Sequence, residues 1–360
     1  MSTTVPASTF SASAGHIVEV GVAVGLVAAM DPAGRFIALE DRGRLTVRDS
    51  HSGLTAVMSC PYGTPGEALA VDPDGTHVAV LRADQTIELR GPDGHVRRNA
   101  LPVADGQPVM SSLQFTADGA FLVLVWQARR DASAQLILLD AATLEPVDSA
   151  ALESRATRQP AAVDEGVEIA VQPGATATIA LAACCGDDTA LLAVAEAAEG
   201  ILRLHGLETD PAALAEGVPG ERVMAIALSD TAGLVVLDSD GFVSTVPWRT
   251  PGVTARIVAH SGELLRDENA ACNGPIFTRG RLLAAVVEDE YLRCGRYECE
   301  ATALAILDLT TGQWRGLLEL PSRQRGEATV IEHSLICRSA EGRTRIARWV
   351  PPTADAASLS

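Results

Sequence analysis

Residues 288–300, Glu-Asp-Glu-Tyr-Leu-Arg-Cys-Gly-Arg-Tyr-Glu-Cys-Glu, pack two tyrosines, two arginines, two cysteines and five acids into thirteen positions. Tyr291, Arg293, Arg296 and Tyr297 are of the types that anchor protein interfaces, because each joins a large contact area to a polar tip. Cys294 and Cys299 can tie the tip of a loop or stay reduced. Two thiols with no histidine nearby make a poor zinc set, so no metal is expected here. Two readings stand side by side: a solvated hairpin, and a projecting loop that meets a partner.

Other residues invite a catalytic reading and lose it on geometry. His51-Ser52-Gly53, His260-Ser261-Gly262 and Glu332-His333-Ser334 set serine beside histidine. Neighbours on a strand point to opposite faces, so none of these pairs makes a nucleophile–base contact by itself. The first two are expected where a sheet turns between its last two strands. Asp238 and Asp240 before Gly241 suggest calcium, but the further oxygens and distal glutamate of such a loop are missing, and a hairpin turn is the better reading. There is no nucleophile elbow, no His-Glu-x-x-His pair and no dinucleotide-binding glycine pattern. All 28 basic residues are arginine. The absence of lysine excludes a phosphate-loop lysine, a kinase-type lysine and a Schiff-base lysine. No catalytic residue, cofactor or metal ligand is assigned. Near the end of the chain Arg338, Arg343, Arg345 and Arg348 reverse the local charge. Arg343 and Arg345 share a strand face with Trp349, as a solvated outer strand or as a patch for an acidic partner.

The remaining chain bounds the setting. It has 360 residues, 47% hydrophobic and 21% charged, with only 4% aromatic, so the core is built from Val, Leu, Ile and Ala. A net charge of −18 repels phosphate backbones, which argues against nucleic acid and anionic membrane as partners. The first 30 residues carry no lysine or arginine, and their apolar stretch is too short to span a bilayer. Seven cysteines without zinc-knuckle spacing point to reduced thiols in a cytoplasmic protein, expected to be a monomer on its own.

These residues must be carried by short strands. "EALAV-DPDG-THVAVL-RADQ-TIELR-GPDG-HVRRNAL" is four alternating runs separated by turns, the grammar of one small antiparallel sheet. The unit recurs. The apolar residues before each first turn are Met30, Val71, Phe115, Val171, Leu228, Phe277 and Ile331, spaced 41, 44, 56, 57, 49 and 54 apart. A four-stranded propeller blade needs roughly 40–50 residues. The expected fold is all-β: a seven-bladed β-propeller of four-stranded antiparallel blades. The final blade is one strand short, and residues 16–20 supply it, closing the ring. Residues 1–15 form a leading segment, 16–350 one domain and 351–360 a tail. Residues 153–166 are expected as an exposed loop and 208–220 as a short helix. A two-domain β-sandwich and a β-helix are the alternatives; the fixed order of turns in each unit favours the propeller.

"DPAG", "DPDG" and "TADG" after an apolar strand resemble the "SPDG" turn of WD-repeat and related bacterial propellers, and YVTN-type propellers share that turn. "VRDSHSG" (47–53) and "ILDLTTG" (306–312) resemble the Trp-Asp end of such repeats, with Arg48 and Leu307 in the Trp position. A rigid ring with loops on two faces is expected to serve as a protein–protein interaction scaffold in a bacterial multi-protein assembly, and by residue type its interaction residues are Tyr291, Arg293, Arg296, Tyr297, Arg343 and Arg345. The alternative is a hydrolase- or lyase-type enzyme, or a small-ligand binder, with polar residues such as Asp267, Glu268 and Asn269 gathered at the axial funnel. A sensor domain is a third reading. The thiol assignment predicts that mass spectrometry of unreduced protein finds all seven cysteines free. A Cys294–Cys299 bond would overturn it.

Overall fold

The computed structural model describes residues 14–62, 66, 68–92, 94–101, 110–127, 134–151, 167–171, 177–185, 188–198, 201–206, 223–248, 256–265, 270–272, 274–293, 296–321 and 327–352. The expected loop at 153–166, the expected helix at 208–220 and Asp267–Asn269 lie outside them. Among the described residues no helix is long and apolar enough to cross a membrane.

Alternating sequence and tight turns give antiparallel sheets whose strands are called a to d from the strand that carries each anchor residue; His16–Val24 is the d strand of the closing sheet, and Ala270–Ala271 takes no letter. The first sheet is Leu26–Met30, Phe36–Asp41, Arg44–Asp49 and Thr55–Pro61. The second lies within residues 68–100, the third within 110–151, the fourth within 167–206 and the fifth within 223–260. A closing sheet joins Ala328–Glu332, Leu335–Ala340 and Arg343–Val350 to His16–Val24, which pairs from His16↔Val350 to Val24↔Arg343. The chain's first described strand thus completes its last sheet. Each anchor from Met30 to Ile331 lies in the a strand of a different sheet.

The expectation of seven four-stranded blades is corrected. Six sheets have the four-stranded form, and the sheet between the fifth and the closing one has five strands. Its two middle strands, Leu282–Arg293 and Arg296–Asp308, are 12 and 13 residues long, whereas Ile276–Arg279 is only 4. The long strand therefore runs past its short partner. An uncovered edge invites stray pairing, and here Ala270–Ala271 covers it, pairing with Asp289 and Glu288.

Burial falls from the inner strands to the outer ones. The b strand Val78–Leu81 is buried at every position, while the d strand Val96–Ala100 has none buried. The core is divided between sheets. Phe36, Leu45, Val47 and Met58 of the first sheet pack on Val71, Val78 and Val80 of the second. Leu81, Ile87 and Leu89 meet Leu113, Phe115, Leu122 and Trp126 of the third. Phe277, Leu304 and Ile306 meet Ile331, Ile336 and Trp349. Leu335, Cys337 and Ile346 meet Met30, Ile37 and Leu39, which joins the closing sheet to the first.

The a–b turns show why the sequence repeats Asp-Pro-x-Gly. The carboxylate of Asp31 accepts the Ala33 and Phe36 N–H groups, and that of Asp72 accepts the Thr76 and His77 N–H groups, so the acid folds the turn. The glycine has positive φ and also meets the preceding sheet. A Cβ on Gly34 would lie 2.5 Å from His333, and one on Gly75 would lie 2.4 Å from the Phe36 ring. Gly53 has a similar φ of +67° with nothing within 4 Å. Gly53→Ala therefore costs backbone strain alone, about 1 kcal/mol. Gly75→Ala adds an overpacked sheet interface and should cost a further 1–3 kcal/mol or so in urea unfolding. Equal losses would show that the glycine serves the turn and not the contact.

Candidate functional site

Two regions gather groups that could recognise something, and they lie at opposite ends of the closing sheet. The first is the b–c end. The two long strands of the five-stranded sheet continue their ladder without interruption from Asp289↔Glu300 to Arg293↔Arg296. The segment 288–300 is thus a two-stranded ribbon, as a hairpin between second and third strands should be. Cross-strand partners share a face and faces alternate. Positions 291, 293, 296 and 298 fall on one face of the ribbon, and 292 and 297 on the other. Tyr297 is therefore not on the face of Tyr291, Arg293 and Arg296. The side chains of 289–299, and Cys294 altogether, lie outside the described residues.

On the closing sheet Val22 pairs with Arg345 and Val24 with Arg343. Val22 and Val24 are 54% and 52% exposed, the two highest values among the large apolar side chains described. Arg343 is exposed beside them, and Arg345 pairs with the buried Glu327 at 2.5 Å. Inward along this face, Ala347 and Trp349 pack on the five-stranded sheet. The Arg343 strand lies between two others, so it is not the outer strand expected from sequence; His16–Val24 is. Nor do the four arginines form one patch. Arg338 is buried and reaches the Ala301 carbonyl at the ribbon's base, and Arg348 turns to Ser50 at the other end.

That other end is the a–b turn face, where the first, five-stranded and closing sheets meet. Asp49, in the Asp position of "VRDSHSG", accepts Arg35 at 2.9 Å and the His51 N–H at 2.8 Å. Burial opposes its charge, but these donors hold its carboxyl below the ordinary range. Asp308 plays the same part in "ILDLTTG", accepting Arg315 and the Thr310 and Thr311 N–H groups. Arg279 extends from the five-stranded sheet to Ser334 Oγ of the closing sheet (3.1 Å) and to the Ala33 carbonyl of the first (3.2 Å). His333 lies deep among protein atoms yet keeps part of its surface open to solvent. Burial, helped by the nearby Arg279 charge and opposed by Asp31, lowers its pKa to about 4. Burial also raises the Asp31 carboxyl.

His333 and Ser334 form a two-residue turn with φ of 47° and 76°. The comparable turns Arg42-Gly43 and Glu341-Gly342 place glycine second. A turn of this hand favours Asn-Gly, so two side-chain-bearing residues other than asparagine are held there at a cost.

The serine–histidine pairs resolve as structural. His260 bonds the Asp240 carbonyl through Nε2 (3.0 Å) and accepts the Gly262 N–H at Nδ1, so it caps a turn. It ends a d strand and does not lie in the c–d turn expected for it; His51 does. Asp238 accepts the Asp240 and Phe242 N–H groups, which makes Asp238–Gly241 a hairpin turn. No group of three or more potential metal ligands occurs among the described residues. Sequence reading passed over Arg279 and weighed His333 only as a partner for serine. The one available signal was that "FTRG" and "IEHS" replace the Asp-Pro-x-Gly turn in two neighbouring units.

The crystal structure of the Cps50 (Swd1) β-propeller domain from Myceliophteria thermophila matches with a TM-score of 0.52 at 13% identity, over 95% of this chain and 99% of that one. The fold is a β-propeller. BamB from Moraxella catarrhalis matches with a TM-score of 0.48 at 16% identity, over 91% and 85% of the two chains. No protein-family model matches the propeller, and no curated protein does.

His333 generates a pH prediction. Between its ordinary pKa of 6.5 and about 4, the unfolded chain binds the proton and the folded one does not. The stability tied to neutral His333 is complete above pH 6.5 and is lost as pH falls toward 4. His333→Asn removes that loss and suits the positive φ. In urea unfolding the variant should gain on the wild type by roughly 1–2 kcal/mol more at pH 5 than at pH 7. A gap that does not change with pH would mean that His333 titrates normally in the folded protein.

Proposed function

We propose that this β-propeller is a protein-docking module and that its docking face is the b–c end of the five-stranded and closing sheets. The observation that carries this reading is the ribbon of residues 288–300, continued beyond the body of its sheet and covered at its base, at Glu288 and Asp289, by Ala270–Ala271. Its neighbour turns at Glu341-Gly342, so the Val24–Arg343 corner opens on the same face of the ring. The Arg338 bond to Ala301 ties the two sheets at the ribbon's base.

The surface has the composition of a recognition site. Val22 and Val24 offer apolar area already outside the core, so covering them removes water without disturbing the fold. Arg343 at the rim and the arginines and tyrosines of the ribbon offer donors to carboxylates and amphipathic area. An acidic partner segment with apolar residues fits this pattern. A cytoplasmic setting agrees with Cys60, Cys272 and Cys337, which are buried free thiols.

Two variants test the proposal. One replaces residues 289–300 with an Asn-Gly turn between Glu288 and Ala301; the other is Val22→Ser/Val24→Ser/Arg343→Glu. Each should lower recovery of the partner co-purified from the native host by roughly tenfold, equivalent to about 1.4 kcal/mol. Because Val22, Val24 and Arg343 are exposed, the melting temperature of the triple variant should move by no more than about 2 °C. Undiminished recovery with both variants would refute the docking face.

A further inference from the structure

Arg279 and Arg348 lie on the a–b turn face, away from the proposed docking end. Among the described residues Arg279 donates only to neutral oxygens, those of Ala33 and Ser334. Arg348 donates to Ser50 Oγ, and its Nε is sealed from solvent with no acceptor. Neither forms an ion pair among the described residues. They converge on one turn: Arg279 takes the Ala33 carbonyl, while Ser50, held by Arg348, takes the Gly34 and Arg35 carbonyls. Their charges repel, and together with burial this lowers the pKa of Arg348.

The fields of Asp31, at both, and of Asp49, at Arg348, act on these cations, but neither carboxylate contacts them. Asp31 is fully buried, with its oxygens taken by the Ala33 and Phe36 N–H groups. Asp49 is committed to Arg35 and the His51 N–H. A protein of net charge −18 thus keeps two partly buried guanidiniums together without a carboxylate on either. Uncompensated buried charge is costly. A guanidinium fork matches the planar oxygens of a carboxylate or the tetrahedral ones of a phosphoryl group. His51 is about half exposed, and burial lowers its pKa, helped by the Arg348 and Arg279 charges and opposed by Asp49.

We infer that Arg279 and Arg348 form a binding site for an oxyanion, a carboxylate or phosphoryl group, at the junction of the first, five-stranded and closing sheets. The bound group lies between the two guanidiniums and relieves their repulsion. The site does not depend on the docking face, which is at the other end of the blade.

The test uses the full chain with inorganic phosphate and with succinate as separate probes, against sodium chloride at matched ionic strength. At ten times its Kd, the probe that fits should raise the melting temperature by about 2 °C beyond chloride. The arm that responds identifies the class of oxyanion. Arg348→Gln should weaken binding at least tenfold by calorimetry, while the ribbon-shortened variant binds as the wild type does. Should Arg348→Gln fail to fold, the NMR titration of His51 in the wild type decides, because a bound anion offsets the field of Arg348. A saturating probe should raise the His51 pKa by half a unit or more. No response beyond chloride, equal binding by a folded Arg348→Gln, or an unmoved His51 titration would each overturn the site.

Discussion

The constraint on which this molecule depends is that no sheet can cover its own faces. A b strand such as Val78–Leu81 is apolar on both sides, and what hides those sides is the sheet before and the sheet after. The packed clusters accordingly join consecutive sheets, and no central core serves them all. Such an arrangement works only as a closed circuit. An end sheet with one bare face would expose residues such as Leu335, Cys337 and Ile346, which are buried against the first sheet. Pairing of His16–Val24 with Arg343–Val350 completes the circuit, and Trp349 secures it from inside, its Nε1 bonded to the Ala14 carbonyl and its ring against Phe277. Scarcity of aromatic residues fits the same constraint, since narrow gaps between sheets are filled by Val, Leu, Ile and Ala.

What the sequence disclosed was what local chemistry decides. Asp-Pro-x-Gly before an alternating run specifies an a–b turn within a few residues, so the strands and their order could be read directly. The closing strand was legible because the last unit lacked one. The fifth strand was not, because Ala270–Ala271 is two residues long and exists only where a longer strand outruns its partner. The arginine pair was hidden for a different reason. Arg279 meets Ala33 across 246 residues of chain, and nothing near either residue anticipates the other. The four arginines near the end of the chain were legible as charges but not as directions, since burial of Arg338 and Arg348 is decided by sheets far away in sequence.

The closing sheet therefore bears three separate demands. Its middle carries the interface with both neighbours, its b–c end presents valines and an arginine to solvent, and its a–b end holds a strained histidine turn beside two arginines that no described carboxylate contacts. Strain is most easily kept where surrounding structure leaves no alternative. Here the Trp349 N–H bonds the Ser334 carbonyl and Arg279 bonds the Ser334 hydroxyl, fixing the turn from two sides. The polar sites of this propeller are thus set by departures from its own repeat, in the units where "FTRG" and "IEHS" stand for the usual turn.

The pairing of His16 with Val350 has a mechanical corollary. Both strands of the seam begin or finish at the same edge and run antiparallel, so a force applied to the two ends would peel the rungs one after another and would not load them all together. The ring that resists heat as a whole should accordingly yield to gentle tension, opening at the seam like a zip while the other interfaces remain intact.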